Sequence, residues 1–217
     1  MKLSIVLPSF ARRELTERAV RSVFAQAETF TGAEVFFLGD GCAIYDELVR
    51  ADWFQQGCLA VAGQITFMLG NSPQRDGTPA PIVNKAIAAA TGEYFTFMAN
   101  DDRLLPGHFR AYYHFAKEQD ADLAYFDSLI EIDALQSVRN AGLAYGHVGH
   151  AEICVRTELA RSVPPHHRGY GHDWDFIRSI QAVARPDKIL KAPNPPWTPT
   201  YVVNMGPREH TYQNGTT

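Results

Sequence analysis

Residues 84–102 read NKAIAAATGEYFTFMANDD and carry the pattern that decides the fold. Apolar residues recur at helical spacing over 82–90, which predicts a helix. Residues 94–98 form a short run of aromatic and apolar side chains, which is typical of a buried strand. An Asn-Asp-Asp turn at 100–102 follows directly. The stretch therefore predicts a helix, a buried strand and an acidic turn in that order.

The same alternation extends on both sides of this stretch. Before it, the pattern predicts strands 3–7, 34–38 and 65–69 and helices 14–26 and 43–54. After it, the pattern predicts a helix at 106–119 with Pro106 in its first turn, strands 122–126, 129–132, 153–155 and 201–203, and a helix at 173–183. Strands that alternate with helices predict an α/β fold with a mostly parallel sheet, in which ligands bind at the carboxyl ends of the strands.

Composition narrows the possible classes of protein. The chain has 217 residues, 46% of them hydrophobic and 20% charged, with a net charge of −4. This length predicts one domain, and the acidic balance argues against a nucleic-acid partner. No apolar run reaches the roughly 20 residues of a membrane helix. Because the three cysteines fit no zinc or redox motif, we expect a cytoplasmic protein, with contact to a membrane surface left open.

Common nucleotide and hydrolase motifs are missing from the sequence. The first predicted strand is followed by PSFARR at 8–13, which has no glycine for a dinucleotide site. Neither a P-loop nor a G-x-S-x-G elbow occurs. Two adjacent carboxylates at a strand end, Asp101 and Asp102, can instead hold Mg²⁺ or Mn²⁺. The alternative is a capping role, since a predicted helix begins shortly afterwards.

Four segments in matching order resemble glycosyltransferase family 2. They are LSIVLPSFAR at 3–12, EVFFLGDG at 34–41, the stretch at 84–102 and GHDWDFIR at 171–178. The resemblance implies an inverting enzyme with a GT-A fold, a nucleotide-diphosphate sugar donor and a divalent metal, Mn²⁺ or Mg²⁺. It also implies a single domain over 1–217, with a nucleotide-sugar-binding half at 1–103 and an acceptor-binding half with a C-terminal tail at 104–217.

The resemblance implies a role for each matching site residue. The donor site, for which a UDP-sugar is favoured, would comprise Pro8, Ser9, Phe10, Arg12, Asp40, Arg75, Lys85, Asn100 and Asp101. The metal ligands would be Asp101, Asp102 and His210. The acceptor, a glycan, a lipid-linked or another hydroxyl compound, would meet His150, His172 and Trp174. Asp173 is the candidate general base, with Asp175 as an alternate, and Asp173 can also cap the helix that begins there. We interpret His166 and His167 as loop residues.

Three positions depart from the family pattern. Ala99 stands where the first Asp of D-x-D is usual, although an alternative register puts Asn100 there. Val83 replaces an arginine whose charge Arg75 or Lys85 could supply. His172 replaces the Glu of the Glu-Asp motif. Two other functions therefore stay open, a sugar nucleotidyltransferase and a non-catalytic nucleotide-sugar-binding module.

Overall fold

The computed structural model describes residues 1–73, 75–132, 135–169 and 171–205. The helices are α1 (Arg13–Phe24), α2 (Ala43–Arg50), α3 (Asp52–Ala60), α4 (Ala80–Ala89), α5 (His108–Glu118), α6 (Thr157–Ser162) and α7 (His172–Val183). The strands are β1 (Leu3–Ser9), β2 (Ala33–Gly39), β3 (Ile65–Asn71), β4 (Tyr94–Phe97), β5 (Arg103–Leu104), β6 (Leu123–Tyr125), β7 (Ser128–Ile132), β8 (Leu135–Arg139), β9 (Ile153–Arg156), β10 (Ile189–Lys191) and β11 (Tyr201–Asn204). Short 3₁₀ helices occupy Ala25–Glu28, His150–Glu152 and Pro186–Lys188.

A seven-stranded sheet in the order β10-β6-β9-β4-β1-β2-β3 forms the centre of the protein. β1 pairs in parallel with β2 on one side and β4 on the other, and only β9 runs antiparallel to its neighbours in this sheet. The predicted mostly parallel sheet flanked by helices is therefore confirmed.

Alternate side chains of the central strands fill two separate cores. Ile5 and Leu7 of β1 belong to the core that also contains side chains of α1, α2, α3 and α5. Val6, between them, belongs to the core that contains side chains of α4, α6 and α7. Successive residues of a strand point to opposite faces, so the mostly apolar run at 3–7 is what a sheet covered on both faces requires.

A four-stranded sheet, β5-β11-β7-β8, lies beside the central one. β11 pairs with β5, which follows the acidic turn at 100–102. Residues near the end of the described chain are thereby brought next to the end of β4.

The boundaries differ from prediction at several elements. The predicted helix 43–54 is two helices, because Ala51 adopts an extended backbone between α2 and α3. Pro106 is not in the first turn of α5, since the helix begins at His108 after Gly107 with a positive φ. The sequence did not predict β8, most of which is exposed, or the six-residue α6.

Within the described residues, no helix is both long enough and apolar enough to cross a membrane.

Candidate functional site

A cavity of about 560 Å³ lies at the carboxyl ends of the central strands. Its walls include Pro8, Ser9, Phe10, Ala11, Arg12, Asp40, Gly77, Thr78, Pro79, Phe97, Met98, Ala99, Asn100, Asp101, Asp102, Arg139, Gly149, His150, Glu152, Asp173, Tyr201 and Val203. This is the edge where parallel α/β sheets bind ligands. Its volume falls in the range of small-molecule sites.

The segment after β1 forms one wall of the cavity. Ala11 and Arg12 both have left-handed backbone conformations, with φ of 48° and 55°. Such conformations are strained in residues other than glycine and persist where the surroundings hold them. The amide of Asn100 does so here, because it donates to the carbonyl of Phe10 at 3.0 Å and to Oγ1 of Thr16 at 2.8 Å.

Phe10 presents its ring to the cavity and packs against a cation. The guanidinium carbon of Arg75 lies 4.2 Å from the centre of the Phe10 ring. Arg75 itself is exposed and is not among the residues that line the cavity. Arg75 therefore contacts the site through the ring of Phe10.

Asp40, at the end of β2, holds a loop over the cavity. It is only 4% exposed, and its two carboxylate oxygens accept hydrogen bonds from the backbone N–H groups of Asp76 at 2.8 Å and Gly77 at 2.9 Å. The carboxylate therefore fixes the segment that leads into α4.

Asp101 and Asp102 are neighbours in opposite environments. Asp101 is partly exposed and forms an ion pair with Arg12 through Oδ2, and no hydrogen bond to its Oδ1 occurs in the described part of the chain. Asp102 is 6% exposed, and its oxygens accept hydrogen bonds from the Tyr201 hydroxyl at 2.6 Å and the Asn204 N–H at 2.8 Å. Burial raises the pKa of Asp102 to about 7.

Asp173, in the first turn of α7, also lines the cavity. It is half-buried, and its Oδ1 accepts a hydrogen bond from the Trp174 N–H at 2.9 Å. Asp175, two residues later, is exposed, pairs with His167 at 2.8 Å and is not among the lining residues. The geometry therefore separates the two candidate bases.

Three histidines pack together beside the cavity. His150 lines it directly, and His166 and His172 lie behind. Burial lowers the pKa of each ring, to about 3 for His166 and well below the ordinary value for His150, and the neighbouring histidines lower it further. Burial therefore favours the neutral form of these rings.

Most of the predicted site residues lie at this one cavity. The lining residues among them are Pro8, Ser9, Phe10, Arg12, Asp40, Asn100, Asp101, Asp102, His150 and Asp173. The predicted residues that do not line it are Arg75, Lys85, His172 and Trp174. His210 lies outside the described residues. All of the predicted roles in binding or catalysis stay predictions.

Sequence reasoning missed several wall residues. Tyr201 and Glu152 carry no motif, and each is positioned by residues far away in the chain. Glu152 is 1% exposed and accepts hydrogen bonds from the Ser128 hydroxyl at 2.5 Å and the Gly149 N–H at 2.7 Å. No local pattern in the sequence signals this burial.

The family of the chain follows from a sequence comparison. Residues 4–140 match the model of glycosyl transferase family 2, which is more than half of the chain. The chain belongs to this family. The matched range includes Asp40, Asp101 and Asp102 and ends before Asp173. No curated protein sequence matches the chain significantly.

Solved structures share the GT-A fold with this chain. The S. aureus TarS 1-349 structure in complex with UDP-GlcNAc is 16% identical, with a TM-score of 0.75 over 100% of this chain and 62% of that one. The mannosyltransferase PcManGT from Pyrobaculum calidifontis, in complex with GDP-Man and Mn²⁺, is 12% identical, with a TM-score of 0.64 over 97% of this chain and 58% of that one. The present chain thus spans about three fifths of the length of these relatives.

Proposed function

We propose that this member of glycosyl transferase family 2 transfers a sugar from a nucleotide-diphosphate sugar to an acceptor hydroxyl with inversion. The observation that carries the proposal is the single cavity lined by both Asp101 and Asp173. Asp101 lies shortly after β4, and Asp173 lies in the first turn of α7. A metal-side carboxylate and a general base in one cavity are what this reaction requires.

The walls after β1 and β2 suit the donor. Phe10 offers an aromatic face for a base, and Ser9 and Arg12 bring polar and positively charged groups to the same wall. The TarS and PcManGT complexes hold UDP-GlcNAc and GDP-Man on the same fold, which supports a nucleotide-sugar donor. We favour a UDP-sugar.

Of the two carboxylates that follow β4, one is better suited than the other to bind a divalent cation. Asp101 fits, because its Oδ1 accepts no hydrogen bond from the described residues. Asp102 fits less well, because Tyr201 and Asn204 already engage its two oxygens. We therefore assign the ligand role to Asp101 and a supporting role to Asp102. A bound Mn²⁺ or Mg²⁺ would neutralise charge on the leaving diphosphate.

Asp173 would act as the general base. The acceptor oxygen forms a bond to the anomeric carbon while Asp173 takes the hydroxyl proton. The bond from that carbon to the diphosphate oxygen breaks, and its electron pair leaves with the nucleoside diphosphate. The position of Asp173 in the cavity wall, compared with the exposed position of Asp175, supports this assignment.

The experiment measures products from a panel of nucleotide sugars and hydroxyl acceptors, with Mn²⁺ or Mg²⁺ present. Release of a free nucleoside diphosphate, lost with chelator and in Asp101→Asn, is the expected result. Release of pyrophosphate would instead identify a nucleotidyltransferase. Tight donor binding without turnover for any acceptor would identify a binding module and overturn the proposal.

A matched pair of calorimetric titrations separates metal binding from folding. Asp101→Asn should lose the metal-dependent part of the affinity for UDP. Glu47→Gln changes an exposed carboxylate that pairs with Arg13 away from the cavity, so it should bind UDP as the wild type does. Equal affinity in both variants and in chelator would refute the metal assignment.

A further inference from the structure

His150, His166 and His172 come from three separate segments and meet at one point. His150 begins the 3₁₀ helix before β9, His166 follows α6, and His172 begins α7. One ring nitrogen from each side chain lies within 4.8 Å of the others. Because Zn–N bonds are about 2.0–2.1 Å long, nitrogens around one tetrahedral ion lie about 3.4 Å apart, so changes of up to about 1.4 Å in the present separations bring the three nitrogens to bonding distance of one ion.

Two ring nitrogens of this cluster lack a hydrogen-bond partner within the part of the chain that the structure describes. Nε2 of His150 and Nε2 of His166 are hydrogen-bonded to each other at 2.7 Å. Nδ1 of His166 and Nδ1 of His172 are buried and accept or donate no hydrogen bond among the described residues. Buried polar atoms are normally satisfied, and those without a partner call for a physical explanation.

The surroundings hold the rings in place. His150 stacks on Phe97, with ring centres 4.4 Å apart, and His166 stacks on Phe176, with ring centres 4.3 Å apart. The side-chain amide of Asn84 also fixes the backbone of His166, since it accepts from the His166 N–H at 2.8 Å and donates to the His166 carbonyl at 2.9 Å. Two of the three rings are therefore held by neighbouring side chains, as a metal site requires.

We propose that His150, His166 and His172 form a binding site for one Zn²⁺ ion. Neutral imidazole is a preferred ligand of Zn²⁺, whereas Mg²⁺ and Mn²⁺ favour oxygen ligands such as Asp101. Three protein ligands leave a coordination position for water or a ligand. The site is distinct from the carboxylate at the end of β4.

In the proposed reaction, the ion would hold the chain segments around the candidate base in position. It would connect the 3₁₀ helix before β9, the segment after α6 and the first turn of α7. Asp173 directly follows His172, so a fixed His172 fixes the backbone that carries the candidate base. His172 is therefore a positioning residue in this proposal.

The test is a zinc titration of the full chain, purified without a histidine tag and stripped with chelator. Mass spectrometry of metal content should find one Zn²⁺ per chain, and Zn²⁺ should raise the melting temperature of the wild type, because a ligand of the native state stabilises it. His172→Ala and His150→Gln should each weaken zinc affinity by about tenfold or more, since even outer-sphere partners of metal sites contribute that much.

Two controls locate the ion. His167→Ala removes an exposed histidine next to the cluster and should bind zinc as the wild type does. Asp101→Asn should also retain zinc, which separates this site from the proposed Mn²⁺ or Mg²⁺ site. Bound Co²⁺ should give the visible absorption of a nitrogen-ligated ion in the wild type and lose it in His172→Ala.

If the wild type does not bind one Zn²⁺ per chain, the proposal is overturned, whether or not the variants fold. Full zinc affinity in folded His172→Ala and His150→Gln also overturns it. Loss of zinc binding in Asp101→Asn would place the ion elsewhere and reject this site. Sugar-transfer activity enters none of these readouts, so failure of the proposed function is a separate result.

Discussion

Carboxylates lie at both ends of the strands of the central sheet, but their surroundings differ. At the amino edge, Glu34 of β2 is 5% exposed and accepts hydrogen bonds from the Ser4 hydroxyl at 2.6 Å, the Thr91 hydroxyl at 3.0 Å and the Gly92 N–H at 3.0 Å. At the carboxyl edge, Asp101 and Asp173 border a cavity. Pairing stabilises the first edge, and incomplete pairing leaves the second edge available for chemistry.

The amino edge continues this pattern next to β6. Asp122 accepts hydrogen bonds from Arg185 Nη2 at 2.7 Å and Arg185 Nε at 2.9 Å, and it also pairs with Arg156. At this same edge a side chain at Gly92 would place its Cβ 2.7 Å from the Ser4 backbone nitrogen, closer than real Cβ atoms come. We infer that the paired residues of this edge stabilise the fold. Mutations there should therefore change stability, whereas mutations at the cavity should change turnover.

The largest expected effect is on turnover in Asp173→Asn. Asn keeps the volume and caps a helix about as well as Asp, but it cannot take a proton. Turnover should fall by about 10²–10⁴-fold with little change in donor affinity, as general base catalysis is worth that much. Steady-state rates and calorimetric titration with UDP measure the two quantities.

Asp175→Asn is the matched control in the same helical turn. Because Asp175 is exposed and pairs with His167, we expect a near-normal transfer rate. A folded Asp173→Asn protein with a normal rate, or a large loss in Asp175→Asn instead, would contradict the assignment.

At the amino edge, Glu34→Ala should destabilise the fold without affecting the donor site. The variant removes the acceptor of the Ser4 hydroxyl and of the Thr91 N–H, whereas the Gly92 N–H keeps its hydrogen bond to the Ser4 Oγ at 2.8 Å. Because a buried donor left unpaired costs about 1–3 kcal/mol, and Ser4 is the buried donor that loses its acceptor, we expect the free energy of unfolding to fall by about 1–3 kcal/mol. Urea unfolding measures this loss.

Glu17→Ala provides the comparison for Glu34→Ala. Glu17 pairs with Arg21 one turn away on α1, and such helical pairs contribute about 0.3–0.5 kcal/mol. Its unfolding midpoint should therefore stay close to that of the wild type. Equal destabilisation by the two changes would show that the buried network has no special role.

Much of this contrast could be predicted from the sequence. The apolar runs at 3–7 and 94–98 predicted two buried strands, and the polar residues that follow them, such as Asp101, were predicted to lie at the carboxyl ends of the strands. The local sequence was enough for this prediction, because Asp40 directly follows β2 and Asp101 lies shortly after β4. The predicted helix 43–54 was wrong as one unit because its periodicity continues across Ala51.

Contacts between distant residues could not be predicted. The hydrogen bonds from Tyr201 and Asn204 to Asp102 join residues about a hundred positions apart, and the sequence does not show that each Asp102 oxygen accepts one of them. His166 was interpreted only as a loop residue. It does lie between α6 and α7, but its contact with His150 depends on the packing of the two segments.

The paired charges of the amino edge predict a pH dependence of stability. Hydrogen bonds from Arg185 lower the pKa of Asp122 to about 2, below the ordinary value of 3.8. A carboxylate with a lowered pKa in the native state stabilises the protein above its unfolded pKa, and this contribution is lost as the pH falls through the native pKa. Relative to Asp122→Asn, the wild type should be more stable by about 2 kcal/mol at pH 6.

This advantage should shrink as the pH falls from about 4 to about 2. Urea unfolding of the two proteins across that range measures the difference between them, which cancels the contributions of other acidic groups. A constant difference down to pH 2 would contradict the role of the ionised Asp122 carboxylate.

The smallest effect distinguishes Arg75 from Lys85, the two residues that could supply the charge missing at Val83. Arg75 lies against the ring of Phe10, whereas Lys85 is exposed on α4 and does not line the cavity. An exposed cation–π contact is worth about 0.5–1 kcal/mol, so Arg75→Ala should weaken donor binding by about two- to fivefold through a less restrained Phe10. Lys85→Ala should leave it unchanged. Calorimetry with UDP measures both affinities. A larger loss of affinity in Lys85→Ala would mean that Lys85 of α4, and not Arg75, supplies the positive charge.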